Sequence, residues 1–194
     1  MTILQADNSD LVLGVTGHRS IQTSEQLTDA LDHALDAIRT QWPARRIVIV
    51  SALAEGADRI IAQHFLACAS ARLVAALPLT VEAYMEDFPS PQSKRTFQQL
   101  LDQADDILQA PPGDGRPQAY AAAGESMLAQ SDVLIALWDG EPAAGLGGTG
   151  DVVHRARELG LPIVWIRCSR TRSGAVAAKS PDDQAGIRFE RFSA

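Results

Sequence analysis

The sequence predicts a single α/β domain in which a mainly parallel sheet of about six or seven strands is covered by helices on both faces. Three observations support this fold class. Short apolar runs rich in β-branched residues recur along the chain, helical spacing of apolar residues separates them, and glycine or proline closes most of the segments. The 194 residues, 46% of them hydrophobic, are enough for one domain with a buried core.

The elements follow one another in a regular alternation. Continuous apolar runs of four to eight residues are typical of strands buried on both faces, whereas apolar residues three and four positions apart are typical of amphipathic helices. The predicted strands are 11–16, 46–51, 72–79, 106–110, 132–138 and 162–166. The predicted helices are 23–40, 56–69, 120–130 and 152–159, with one or two more inside 81–104.

Strands that alternate with helices favour right-handed crossovers and a parallel sheet, since each helix must return to a face of the sheet. The sequence therefore predicts a doubly wound, Rossmann-like fold over residues 11–167. Residues 1–10 are interpreted as an N-terminal extension. Residues 168–194 are interpreted as a C-terminal extension, in which Ile187, Phe189 and Phe192 indicate an added edge strand.

Composition argues against several classes of function. A net charge of −7, a pI near 5.0 and only 5% aromatic residues argue against nucleic-acid binding. Cys68 and Cys168 lack the spacing of a metal site or a disulfide framework, so no metal and no cofactor are predicted. No apolar run reaches the roughly 20 residues that cross a bilayer, and the first ten residues do not resemble a signal peptide, so we expect a cytoplasmic protein.

The first candidate loop follows the first strand and contains Thr16, Gly17, His18 and Arg19. In parallel sheets, ligands bind beyond the carboxyl ends of the strands. A hydroxyl, an imidazole, a guanidinium and a glycine backbone are together suited to holding a phosphate, and Arg19 is the strongest candidate because its planar fork can chelate an anion. The alternative is a plain turn with solvated side chains.

The second candidate loop runs from the second strand into a helix and contains Ser51, Ala54, Glu55 and Gly56. The amides at a helix start favour an anion. Glu55 either binds a ribose hydroxyl or caps the helix, and both interpretations stay open. Asp58 is interpreted as a residue that stabilises the first helical turn.

The third candidate loop is rich in glycine and lies between the strand that ends before Asp139 and the next helix. Its backbone amides at Gly147 and Gly148, together with the Thr149 hydroxyl, are suited to cradling a phosphate. It lacks the lysine of a P-loop and does not occupy the position of the dinucleotide fingerprint. Asp151, at the start of the helix, is either a dipole partner or a catalytic carboxylate.

These three blocks resemble the SLOG superfamily, which gathers Lonely Guy phosphoribohydrolases, the Rossmann-like domain of DNA-processing protein A, molybdenum-cofactor carrier proteins and nucleotide-sensing domains. The resemblance extends over about 11–167. It implies a nucleotide or nucleoside-phosphate ligand near the three loops, and a homo-oligomer. Lonely Guy enzymes have a catalytic glutamate in a PGGxGTxxE motif, but here Val152 falls at that position and the proline is absent.

Two functions follow as hypotheses. The first is a sensor or carrier that binds a nucleotide or nucleotide-derived small molecule. The second is an N-glycosidic hydrolase or deoxyribosyltransferase-like enzyme that uses Asp151, Glu55 or Asp139 as its carboxylate. The two differ in whether the ligand is turned over.

Overall fold

The computed structural model describes residues 9–170, 176–178 and 186–192, and confirms the predicted fold class. The strands are β1 (Asp10–Gly17), β2 (Ile21–Gln22), β3 (Arg46–Ser51), β4 (Arg72–Leu77), β5 (Asp106–Gln109), β6 (Val133–Trp138), β7 (Ile163–Arg170), β8 (Val176–Ala178) and β9 (Ile187–Glu190). The helices are α1 (Glu25–Gln41), α2 (Ala57–Ala69), α3 (Val81–Met85), α4 (Pro91–Leu101), α5 (Arg116–Leu128) and α6 (Thr149–Glu158).

Six parallel strands form the centre of the sheet in the order β7-β6-β1-β3-β4-β5. The chain first builds outward from β1 through β3, β4 and β5, and then continues on the other side of β1 with β6 and β7. The strand order therefore reverses between β1 and β6, which is where ligands bind in doubly wound sheets. Both β8 and β9 pair with β7 in the antiparallel direction, and β2 pairs with β8.

The sheet buries apolar side chains on both faces because alternate strand residues point in opposite directions. On one face Leu11 and Leu13 of β1 pack with residues of α1 and α2, and on the other face Val12 packs with residues of α5 and α6. Helix α1 begins at the Ser24 cap, whose hydroxyl accepts a hydrogen bond from the amide of Leu27. These two layers hold the loops at the carboxyl edge in fixed positions.

Two helices begin earlier than their apolar spacing indicates. Helix α5 begins at Arg116, because Pro117 occupies the first turn, where its missing N–H has no cost. Helix α6 begins at Thr149, so that Thr149 and Gly150 belong to its first turn. This second shift brings the end of the glycine-rich segment into a helix N-terminus.

The chain after β7 returns to the domain. Strand β9 lies at residues 187–190 along β7, and Glu190 forms a two-point ion pair with Arg157 of α6, at 2.8 and 2.9 Å. The ring of Phe192 packs edge-on against Trp42, with the centroids 5.2 Å apart. The predicted N-terminal extension lies outside the described residues as far as residue 8. Among the described helices, none is both long and apolar enough to cross a membrane.

Candidate functional site

A cleft of about 460 Å³ opens at the carboxyl ends of β1 and β6, at the point where the strand order reverses. Three segments form its walls: the end of β1 with the following loop, the start of α2, and the loop between β6 and α6. The α5 helix and Tyr84 close the remaining sides. The polar or charged residues lining this cleft are Thr16, His18, Arg19, Asp58, Tyr84, Tyr120, Glu141 and Thr149.

His18 connects the first and third loops. Its Nε2 lies 3.0 Å from Oδ1 of Asp139 and 3.2 Å from the Asp139 amide nitrogen. A single ring nitrogen either donates to the carboxylate or accepts from the amide, so only one of these two contacts is a hydrogen bond at a time. Asp139 also accepts from the amide of Glu141 at 3.1 Å. Asp139 does not line the cleft itself and instead positions His18 and the start of the third loop.

Two glycines allow the first and second loops to pack closely against each other. A Cβ at Gly17 would lie 2.4 Å from the Cβ of Ala57, and a Cβ at Gly56, where φ is +80°, would lie 2.2 Å from the carbonyl oxygen of Arg19. The amide of Ala57 donates to the carbonyl of His18 at 3.0 Å. The first amide of α2 therefore already has a partner, and both glycines are needed for loop packing.

Asp58 lies in the first turn of α2, the helix start that the sequence suggested as an anion site. The side chain is buried, and Oδ2 accepts a hydrogen bond from Oγ of Ser51 at 3.2 Å. Burial raises the pKa of Asp58 to about 7, although the hydrogen bonds from Ser51 and Ala54 and the charges of Arg19 and Arg59 oppose the rise. The cleft therefore contains a carboxyl group that gains or loses its proton near neutral pH.

Arg19 lies on an aromatic wall of the cleft. Its guanidinium carbon is 5.4 Å from the ring centroid of Tyr120, whose hydroxyl donates to Oδ2 of Asp87. Burial disfavours the charged form of Arg19, but the interactions with Tyr120, Tyr84 and Asp87 outweigh it, so that the pKa of Arg19 is raised. Arg19 therefore remains a cation under all ordinary conditions and partly faces solvent.

Tyr84 is a cleft residue that no sequence motif indicated. Its side chain is 0% exposed, and its hydroxyl has no hydrogen-bond partner among the described residues. Burial, together with the negative charge of Asp58, raises the pKa of Tyr84, so the hydroxyl stays protonated. A buried hydroxyl without a partner is costly, and a ligand atom that accepts its proton would remove that cost.

The glycines of the third loop serve mainly close packing. A Cβ at Gly147, where φ is +76°, would lie 2.7 Å from the amide nitrogen of Ala121 on α5. The amide of Gly147 donates to Asp151 at 3.1 Å, so this exposed carboxylate closes the loop and does not line the cleft. The first amides of a helix have no intrahelical partner, and those of Thr149 and Gly150 donate to no other group among the described residues.

The structure thus brings together most of the predicted ligand-binding residues and leaves others outside. Those that line the cleft are Thr16, Gly17, His18, Arg19, Ala54, Gly147, Gly148 and Thr149. Ser51, Asp139 and Asp151 are not among the lining residues, and Glu55 and Gly56 lie in a shallow neighbouring groove with Arg59 and Ser93. In that groove the hydroxyl of Ser93 donates to the carboxylate of Glu55.

Sequence reasoning missed four of the polar or charged cleft residues, Asp58, Tyr84, Tyr120 and Glu141. Asp58 was visible in the second block but was interpreted as a helix-start residue. Tyr84 and Tyr120 stand in helices without any motif, and only their tertiary position brings them to the cleft. Their single detectable signal is that tyrosines are scarce in this chain, which contains two.

Known proteins resemble this chain in structure rather than in sequence. No family model matches the chain, and no curated protein matches it. Among solved structures, the chain is similar to the molybdenum cofactor binding protein from the phototrophic bacterium Rippkaea orientalis, with 19% identity, a TM-score of 0.49 and coverage of 91% of this chain and 93% of that chain. The resemblance to the SLOG superfamily therefore stays a prediction.

Proposed function

We propose that this protein binds a phosphate-bearing small molecule, a nucleotide or a nucleotide-derived ligand, and acts as a sensor or carrier. One observation carries the proposal: Arg19 and the N-terminus of α6 line the same cleft, at the reversal of strand order. This is the arrangement from which a phosphate receives both a side-chain cation and backbone N–H groups.

Local charge supports an anionic ligand although the whole chain carries −7. The amides of Thr149 and Gly150 point out of a helix start, where the helix dipole places partial positive charge. Arg19 keeps its charge, since its pKa is raised. Asp58 and Glu141 are the two acids that line the cleft. The raised pKa of Asp58 leaves it protonated for much of the time near neutral pH, which lowers its repulsion of a phosphate, and Glu141 is exposed to solvent, which screens its charge.

The rest of the cleft suits the less polar part of such a ligand. A volume of about 460 Å³ lies within the usual range for small-molecule sites. Helix α5 contributes Ala123, Gly124 and Met127, and Val152 of α6 lies beside them. These small and apolar side chains leave room for a ring system, and the unpartnered hydroxyl of Tyr84 offers a hydrogen-bond donor to it.

The positions of the carboxylates that the sequence suggested as catalytic favour binding without turnover. Asp151 bonds to the loop backbone outside the cleft, and Glu55 lies in the neighbouring groove.

A second candidate, the N-glycosidic hydrolase, is favoured by one observation. Asp58 lines the cleft with a pKa raised to about 7, which is suitable for a general acid or base.

Calorimetry with matched ligands and variants tests the proposal. The probes are nucleoside mono- and diphosphates, the same nucleosides without phosphate, and inorganic phosphate. The variants are Arg19→Ala and, as a control, Arg95→Ala, which removes an exposed arginine bonded only to Gln92 among the described residues. We expect the phosphorylated ligands to bind best and to lose affinity only in Arg19→Ala. Equal affinity with and without phosphate, or indifference to Arg19→Ala, contradicts the proposal.

Chromatography of the same mixtures separates the two candidates. We expect no release of free base over many hours, which identifies a sensor or carrier. Multiple turnovers that disappear in Asp58→Asn identify the enzyme and reject the first candidate. Native mass spectrometry of the purified protein adds two readouts, a retained ligand and the assembly size, and the second of these tests the predicted homo-oligomer.

A further inference from the structure

A group of potential metal ligands lies on the surface where α1 meets α2, away from the cleft. Asp32 belongs to α1, and His64 and Cys68 belong to α2. One ligand atom from each of these residues lies within 4.8 Å of the other two. None of the three lines the cleft or the neighbouring groove, so the group is independent of the proposed function.

The spacing on α2 explains part of this arrangement. His64 and Cys68 are four residues apart, so their side chains lie on one face of the helix, one turn from each other. Asp32 faces them from α1. The two helices are also joined here by a hydrogen bond from Arg39 of α1 to the backbone carbonyl of Cys68, at 2.9 Å. The three side chains therefore project from two helices whose relative position is fixed.

The contact between His64 and Asp32 has an unusual geometry for an ordinary ion pair. Nε2 of His64 is 2.9 Å from Oδ1 of Asp32, yet this buried nitrogen has no partner in hydrogen-bonding orientation among the described residues. Ligand atoms that share one zinc ion at 2.0–2.1 Å in tetrahedral geometry lie roughly 3.3 Å apart without bonding to each other. The three potential ligand atoms of this group lie within 4.8 Å of one another.

We propose that Asp32, His64 and Cys68 form a binding site for a borderline-soft divalent transition metal, of which Zn²⁺ is the representative. A thiolate, an imidazole and a carboxylate are the ligand types that Zn²⁺ accepts, whereas Mg²⁺ and Ca²⁺ require oxygen ligands. Three protein ligands leave the fourth position to solvent, since Asp32 and Cys68 are exposed. The spacing of the two cysteines gave no hint of this site, because its ligands come from two helices.

Metal titration of the tag-free protein tests the site. Calorimetry with Zn²⁺ measures affinity and stoichiometry, and Co²⁺ reports the ligands, because thiolate coordination gives a near-ultraviolet charge-transfer band and tetrahedral geometry gives intense visible bands. We expect about one Zn²⁺ per chain and a thiolate band with Co²⁺. We also expect Zn²⁺ to raise the melting temperature, since the ion joins two helices of the folded state.

The variants are Cys68→Ser and His64→Gln, each expected to weaken Zn²⁺ binding more than about tenfold, with loss of the Co²⁺ thiolate band in Cys68→Ser. Matched controls are Cys168→Ala in β7 and His154→Gln, whose imidazole is exposed and lies 3.7 Å from Glu158. Both controls should bind like the wild type. Circular dichroism checks that each variant is folded. If His64→Gln is misfolded, the Zn²⁺ affinity of Cys68→Ser, a substitution at an exposed residue, decides the test alone. The proposal is wrong if the wild type shows no saturable Zn²⁺ binding, or if Cys68→Ser binds as tightly as the wild type.

Discussion

Asp58→Asn should remove a dependence of stability on pH that burial imposes on this domain. The folded protein keeps the Asp58 proton up to about pH 7, whereas the unfolded chain releases it near the ordinary value of 3.8. The stability linked to this proton is fully present below about pH 3.8 and is lost as the pH rises through about 7. Within this pH range, each rise of one pH unit lowers the free energy of unfolding by about 1.4 kcal/mol.

The expected effect is large enough to measure. Between about pH 5 and about pH 7, the free energy of unfolding of the wild type should fall by roughly 2 kcal/mol because of Asp58 alone, since the folded protein has released about half of this proton at pH 7. At this chain length, 1 kcal/mol corresponds to about 2–4 °C, so the melting temperature should fall by roughly 4–8 °C. The carboxamide that Asp58→Asn introduces has no proton to lose in this range, so this part of the dependence disappears.

Urea unfolding at several pH values measures the free energy of unfolding of the wild type and of Asp58→Asn. The contributions of all other titratable groups cancel in the difference between these two free energies. The stability of Asp58→Asn relative to the wild type should increase from about pH 5 to about pH 7. Asp29→Asn is the control, because Asp29 is exposed and forms no ion pair among the described residues. A difference between Asp58→Asn and the wild type that stays constant within about 0.5 kcal/mol refutes the assignment of a buried, protonated Asp58.

Three further substitutions address the cleft. Arg19→Ala should weaken nucleotide binding by about 1–3 kcal/mol and leave the melting temperature of the unliganded protein nearly unchanged, as calorimetry and thermal unfolding will show. Tyr84→Phe should raise the free energy of unfolding by about 1 kcal/mol, because it deletes a buried hydroxyl without a partner, and a clear loss of stability would mean that the hydroxyl is satisfied. Gly148→Val should abolish ligand binding while the protein stays folded. A Cβ there would lie 3.0 Å from the Cβ of Ala143, so the loop must shift, and normal binding by a folded variant would identify the third loop as a connector.

The buried strands were predictable from the sequence because both their faces are apolar. Residues 46–51 were predicted with the observed bounds, and 11–16 lies inside β1. The first residues of the helices were harder to predict from the sequence. The apolar spacing of α6 begins at Val152, but the helix includes Thr149 and Gly150, whose small side chains contribute nothing to such a pattern. The two-residue strand β2 has no sequence signal, since its pairing with β8 depends on the tertiary fold.

For the cleft, the sequence identified the loops better than the roles of their residues. Gly17 looked like a place where a ligand approaches the backbone, and Gly56 like part of a helix start that favours an anion. In both cases the missing side chain makes room for a neighbouring part of the chain. In the third loop a positive φ occurs at Gly147, whereas φ at Gly148 is −73°. Packing partners that lie far apart in the chain decide such details, and no local pattern contains them.

The close fit of Gly56 against the carbonyl oxygen of Arg19 also determines where the cleft can adapt its shape. The loop after β1 and the start of α2 are in such close contact that they have to move together. Across the cleft, Gly145 has open space around its Cβ position, and the neighbouring Leu146 is 55% exposed. We therefore expect the cleft to adjust to a ligand mainly in the segment around residues 144–146, while the opposite wall keeps its shape and selects ligands that fit it.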